Sequence, residues 1–151
     1  YITVPNLMGF VAKIEIKKAP FLSWWMELVN CLFLDRGDMR AGMKMIIDGI
    51  DSIKQGYSIF IAPEGTRSQG SELLPFKEGS FKIATKSGAP LVITTVDNTN
   101  LVHKNAPFKR TEITLRICEV ISAEEVLASS TAELSEKARK IMCESLGVAC
   151  E

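Results

Sequence analysis

The chain has 151 residues, one domain's length, and its 46% hydrophobic and 24% charged residues exclude a disordered or low-complexity protein. The 18 basic and 18 acidic residues cancel. That excludes nucleic acid as the main partner, because binding backbone phosphates requires a basic excess.

Gly9 to Lys13 is short, apolar and partly alternating, and reads as a strand. Lys13 forms a local basic cluster with Lys17 and Lys18. Pro20 to Val29 fits a short helix with proline in its first turn. Phe21, Leu22, Trp24, Trp25 and Met26 lie on it. A helix this short with two tryptophans is expected to bury at least one of them in the core; the other reading is a face toward a bilayer or an acyl chain. No apolar run reaches the ~18 residues of a membrane span. Cys31 to Leu34 is a continuous apolar run ahead of Asp35 and Arg36, and reads as a buried strand.

Asp38 is placed to cap the next helix, where Met39, Met43, Ile46, Ile47, Ile50 and Ile53 form an apolar face that Gly56 ends. Ser58 to Ala62 reads as another buried strand, followed by a polar, Gly-containing loop from Pro63 to Phe76. Glu78 to Ser87 forms a helix ended by Gly88, and Leu91 to Val96 a further buried strand. A polar connection from Asn98 to Arg110 leads to a strand from Thr111 to Ile121, with Ile113, Leu115 and Ile117 on one side and Thr114 and Arg116 on the other. Ser122 with Glu125, and Ser130 with Glu133, predict two capping boxes. The second opens a helix that Gly147 closes. The alternation of strands and helices predicts an α/β fold with a mainly parallel central sheet and flanking helices, as a single domain over residues 1–151.

Cys31, Cys118, Cys143 and Cys150 form no closely spaced pair, and His103 is the one histidine. No metal site or cofactor is expected, and the thiols are read as reduced in a cytosolic setting. The chemistry-bearing segment is Pro63 to Ser68 after a buried strand. In α/β sheets ligands bind beyond the carboxyl ends of the strands. There Glu64 offers a carboxylate, Gly65 close backbone approach, Thr66 a hydroxyl and Arg67 a fork of donors suited to phosphate. Arg36, at the end of another strand, makes a shared anion site plausible. The plain alternatives are a structural Glu64–Arg67 turn and an Arg36 surface pair with Asp35 or Asp38.

Three ordered blocks make this arrangement specific. They are Cys31 to Arg36, then Phe60 to Ser68 about thirty residues on, then Leu73 to Val92 with its opening Pro90. Together they resemble the glycerophospholipid acyltransferases, above all the 1-acyl-sn-glycerol-3-phosphate acyltransferases. Ala62 stands where the family usually has Phe, and a second proline usual after Pro90 is missing. The resemblance covers at least Gly9 to Val96.

It implies that Lys13, Arg36, Gly65, Thr66 and Arg67 hold the acceptor's phosphate. Glu64 would shape the loop in a supporting role rather than act as a base, and Pro90 would line the apolar side. It further implies acyl-CoA or acyl carrier protein as donor, a lysophospholipid as acceptor, a membrane surface as partner, and work at the cytoplasmic face of the cell membrane. The family's first block, His-x-x-x-x-Asp, carries the general base and is absent; His103 is followed five residues later by Phe108. The chain is therefore expected to be N-terminally incomplete, with no catalytic residue present. Natural loss of the base, leaving a non-catalytic lipid-phosphate-binding relative, stays open beside truncation. So does an enzyme acting on another glycerophospholipid acceptor.

Overall fold

The computed structural model describes residues 7–66, 73–99, 101–102 and 109–149. Strand β1 (Met8–Lys13) lies between β2 (Leu32–Leu34) and β3 (Ser58–Phe60), and both neighbours run parallel to it. Parallel neighbours need a crossover. A 3-10 turn (Ile14–Lys18) and α1 (Pro20–Leu28) supply the first. The second is α2 (Met39–Lys54), which starts where the Asp38 carboxylate accepts the Arg40 N–H at 2.8 Å.

The packed side of α2 carries small residues: Gly49 and Ser52 are its buried positions. A Cβ on Gly49 would stand 2.5 Å from Ile83 Cδ1, so the bare backbone is what lets α2 approach α3 (Lys82–Ser87) this closely. The apolar stripe read from the sequence is correspondingly split. Met39, Met43 and Ile47 face outward.

In the second half, β4 (Leu91–Asp97) and β5 (Thr114–Ile121) form a separate antiparallel pair. Ile93 faces Glu119 while Thr94 faces Ile117, so Cys118 is the extra residue of a bulge. Helices α4 (Ala123–Ala128) and α5 (Thr131–Leu146) follow. Phe81, Ile93, Ile121, Val126, Leu134 and Ala138 meet in one buried cluster between the pair and these helices. Thr95 is buried there as well, its hydroxyl 3.3 Å from that of Ser145.

Several expectations are corrected. Both tryptophans lie at the surface, because α1 turns Ser23 and Met26 toward the protein. The segment Glu78 to Ser87 is a 3-10 turn (Glu78–Phe81) running into α3 rather than one helix. The Ser130–Glu133 box is complete, but at Ser122 the Glu125 carboxylate is engaged by Lys137, and only the Glu125 N–H to Ser122 bond forms. Cys31 and Cys118 are free thiols, whereas Cys143 is disulfide-bonded, which overturns the reading of four reduced cysteines. Its partner lies outside the described residues.

Candidate functional site

The parallel register brings three strand ends to one edge. Lys13 closes β1 opposite Leu34, and Arg36 follows two residues beyond Leu34. Phe60 stands opposite Phe10, three residues short of Lys13, and Pro63 is three residues beyond Phe60. Lys13, Arg36 and the loop starting at Pro63 therefore share the carboxyl edge of the sheet, the side on which such sheets take ligands.

The carboxylates flanking Arg36 are already engaged. Asp35 accepts the Gly37 N–H at 2.9 Å and Asp38 the Arg40 N–H at 2.8 Å. Arg36 and Lys13 are both exposed, and neither makes an ion pair among the described residues. The surface pair of Arg36 with Asp35 or Asp38 is not formed among the described residues; each carboxylate instead accepts a backbone N–H, of a turn and of a helix start. Two cations stand open on one edge.

The loop is held at its base. Gly65 N–H donates to the Ala62 carbonyl at 3.1 Å, and Lys77 N–H to the Pro63 carbonyl at 2.9 Å. The Glu64 carboxylate accepts the Leu74 N–H at 3.3 Å. It braces the two limbs of the loop together. Gly65 takes a φ of 68°, where a side chain is strained. A Cβ there would also stand 3.1 Å from Lys77 Cε. The stem of Lys77 therefore lies over the turn and carries a third cation to it. Sequence reasoning passed over Lys77, although the block from Leu73 that carries the resemblance contains it. Thr66 is exposed beside Gly65. Arg67 and His103 lie outside the described residues.

Beyond β3 an apolar cavity of about 550 Å³ opens between β3 and β4. Phe60, Pro63, Phe76, Pro90, Ile93 and Met142 are among its walls. Pro90 belongs to this cavity rather than to the charged edge. Glu64 also lines it, so loop and cavity adjoin.

A sequence model described as Acyltransferase matches residues 2–96. The chain belongs to the acyltransferase family. Every candidate residue from Lys13 to Pro90 falls within the acyltransferase match, which ends in β4; β5, α4 and α5 lie after it. The chain is 36% identical over 140 residues to a 1-acyl-sn-glycerol-3-phosphate acyltransferase of Saccharomyces cerevisiae, covering 89% of this chain and 46% of the yeast protein. A chloroplastic 1-acyl-sn-glycerol-3-phosphate acyltransferase of Brassica napus is 37% identical over 93 residues, 62% of this chain and 27% of that one. The chain spans less than half the length of these two relatives. Among solved structures, the 1-acyl-sn-glycerophosphate (LPA) acyltransferase PlsC of Thermotoga maritima superposes with a TM-score of 0.74 at 28% identity, over 93% of this chain and 56% of that one. The acyltransferase likeness in three dimensions thus extends past β4.

Proposed function

We propose that the protein carrying this chain transfers an acyl group from a thioester, acyl-CoA or acyl carrier protein, to the 2-hydroxyl of 1-acyl-glycerol-3-phosphate, releasing the thiol and forming phosphatidic acid. The carrying observation is the open pair Lys13 and Arg36 on the edge shared with the Gly65 turn. A guanidinium and an ammonium there suit a phosphate monoester. In this reading Arg67 joins them from the same loop, Lys77 adds charge, Thr66 donates a hydroxyl, and Glu64 keeps the turn closed. Pro90 lines the apolar cavity next to the acceptor's chain. The names of the yeast and Thermotoga relatives support this substrate class.

In the family the imidazole of the first block removes the hydroxyl proton. These 151 residues hold only His103, with Phe108 five residues on. A lipid-phosphate-binding relative without turnover is the alternative reading, and an acyltransferase acting on another glycerophospholipid acceptor is a further one. The test is binding and turnover side by side. Lysophosphatidate is expected to bind the 151-residue chain saturably, without thiol release from acyl-CoA above blank. Thiol release by these residues would overturn the assignment of the base to a His-x-x-x-x-Asp block. Failure to bind lysophosphatidate would remove the phosphate site itself. Because the acceptor is a membrane lipid, the site of action in this reading is the cytoplasmic face of the cell membrane.

A further inference from the structure

Helix α1 is built inside out. Its two buried positions are Ser23 and Met26, while Phe21 is 88% exposed, Trp24 63%, Trp25 50% and Leu28 62%. Leu22 is exposed beside them. At 100° per residue these five side chains fall within an arc of about 160°. They form a continuous apolar face with two indoles, and water is the wrong solvent for it. Helix α1 is too short to cross a bilayer, and among the described residues no helix is long and apolar enough to do so.

We infer that this face of α1 docks on the surface of an anionic bilayer, with its helix axis in the interfacial plane. The occupant is chosen by chemistry and charge. Indole rings favour the headgroup boundary over both water and hydrocarbon. Lys17 and Lys18 immediately precede the helix, and Lys13 lies just before them. The acidic residues nearby are Glu15 and Glu27, the latter paired with Lys17 at 3.4 Å, against the three lysines Lys13, Lys17 and Lys18. The local balance is positive by one charge, in a chain whose net charge is zero. Lysines flanking an apolar face lie at the right depth to meet anionic headgroups.

The topology gives the docked helix an orientation. Helix α1 leaves the carboxyl edge of β1 and returns to the amino end of β2. Its first turn, with Phe21, therefore stands at the edge that carries Lys13 and Arg36. A bilayer against α1 borders that edge. The docking rests on the exposed helix face alone; only its use, presenting the edge to a lysophospholipid, rests on the function proposed above.

The chain carries its own reporter, because both of its tryptophans lie on α1. Vesicles of phosphatidylcholine, with and without phosphatidylglycerol, are titrated into the 151-residue chain. The expected result is a blue shift of tryptophan emission and protection from acrylamide. Lipid brominated near the glycerol is expected to quench more strongly than lipid brominated deep in the chain. Binding should be tighter when phosphatidylglycerol is present. The double variant Phe21→Ser, Leu28→Ser keeps both reporters and alters exposed positions only. It is expected to bind vesicles at least about tenfold more weakly, with an unchanged circular dichroism spectrum.

Unchanged emission with lipid would overturn the proposal. So would a blue shift that appears without lipid and grows with protein concentration, the signature of a second copy. Brominated-lipid quenching decides the matter on the unaltered chain even if the double variant misfolds. Lysophosphatidate binding by Arg36→Ala reads the phosphate site separately. Vesicle docking retained in that variant, or lost while lysophosphatidate still binds the native chain, tells which of the two ideas has failed.

Discussion

At the scale of single residues, the candidate site turns on which groups already have partners. Arg36 is exposed and makes no ion pair among the described residues, while Asp35 and Asp38 each accept a backbone N–H, so its guanidinium faces solvent and can meet an anion. Losing a charged hydrogen bond lowers affinity strongly. Arg36→Ala is expected to weaken lysophosphatidate binding by roughly tenfold to a thousandfold, and Arg67→Ala likewise; in an active assembly the same factor should appear in kcat/KM for the acceptor. Native-like affinity in either variant removes that arginine from the site. Lys77 separates shape from charge. Lys77→Met keeps an aliphatic stem over Gly65, so affinity is expected to fall about tenfold while the melting temperature holds. Gly65→Ala acts on shape, and is expected to lower both affinity and stability. The left-handed φ of 68° then costs about 1–2 kcal/mol, readable as a drop of several degrees in Tm by calorimetry.

At the scale of elements, the last helix is held by charge at both ends of the pH range. Glu133 closes the capping box of α5, and the Ser130 N–H, then the Ser130 hydroxyl, hold its carboxyl below the usual carboxylate range. A depressed folded pKa adds stability above the unfolded value, and that stability is lost as pH falls through the folded one. Lys137 runs the other way. Bonds from its ammonium to Glu125 at 2.6 Å and Glu119 at 3.0 Å raise its pKa. Its contribution is full below the ordinary lysine value and is lost as pH rises through the raised one. Glu133→Gln should therefore flatten the acid limb of a Tm–pH profile, and Lys137→Met the alkaline limb. Profiles parallel to the native one would show that neither contact outlives solvent exchange.

This scale also shows what could be read in advance. Asp38, Gly56, Gly88 and Gly147 were placed correctly as helix starts and stops, because capping is local chemistry. The Ser122 box was half wrong because Lys137, twelve residues from Glu125, competes for its carboxylate.

Across the whole molecule, apolar surface is unevenly settled. Ile121 and Leu134 are fully enclosed, so Ile121→Ala or Leu134→Ala should cost about 2–5 kcal/mol in chemical denaturation. On the other face of the antiparallel pair, Val92, Val96, Leu115, Ile117 and Val120 are exposed. Ile117→Thr in the 151-residue chain should therefore change stability by no more than about 0.5 kcal/mol. A large loss would mean that the face is covered. Alternation along β5 correctly showed a two-sided strand. It gave no sign that the side of Ile113, Leu115 and Ile117 is the exposed one, since the bulge at Cys118 puts Ile121 on the opposite side, which α4 and α5 enclose.

What the amino-acid order determined alone is the set of elements, the two strand-end charges and the polar loop after the third strand. These follow from period, capping and turn chemistry, all of which act over a few residues. The tertiary structure decided that β1 sits between β2 and β3, which is what brings Lys13, Arg36 and the Gly65 turn to one edge. It decided that Asp35 and Asp38 serve backbone N–H groups and that Lys77 lies over the loop. It also turned Trp24 and Trp25 outward. Each of these depends on contacts between segments far apart in the chain, and the free energy of such contacts is not carried by any local run of residues.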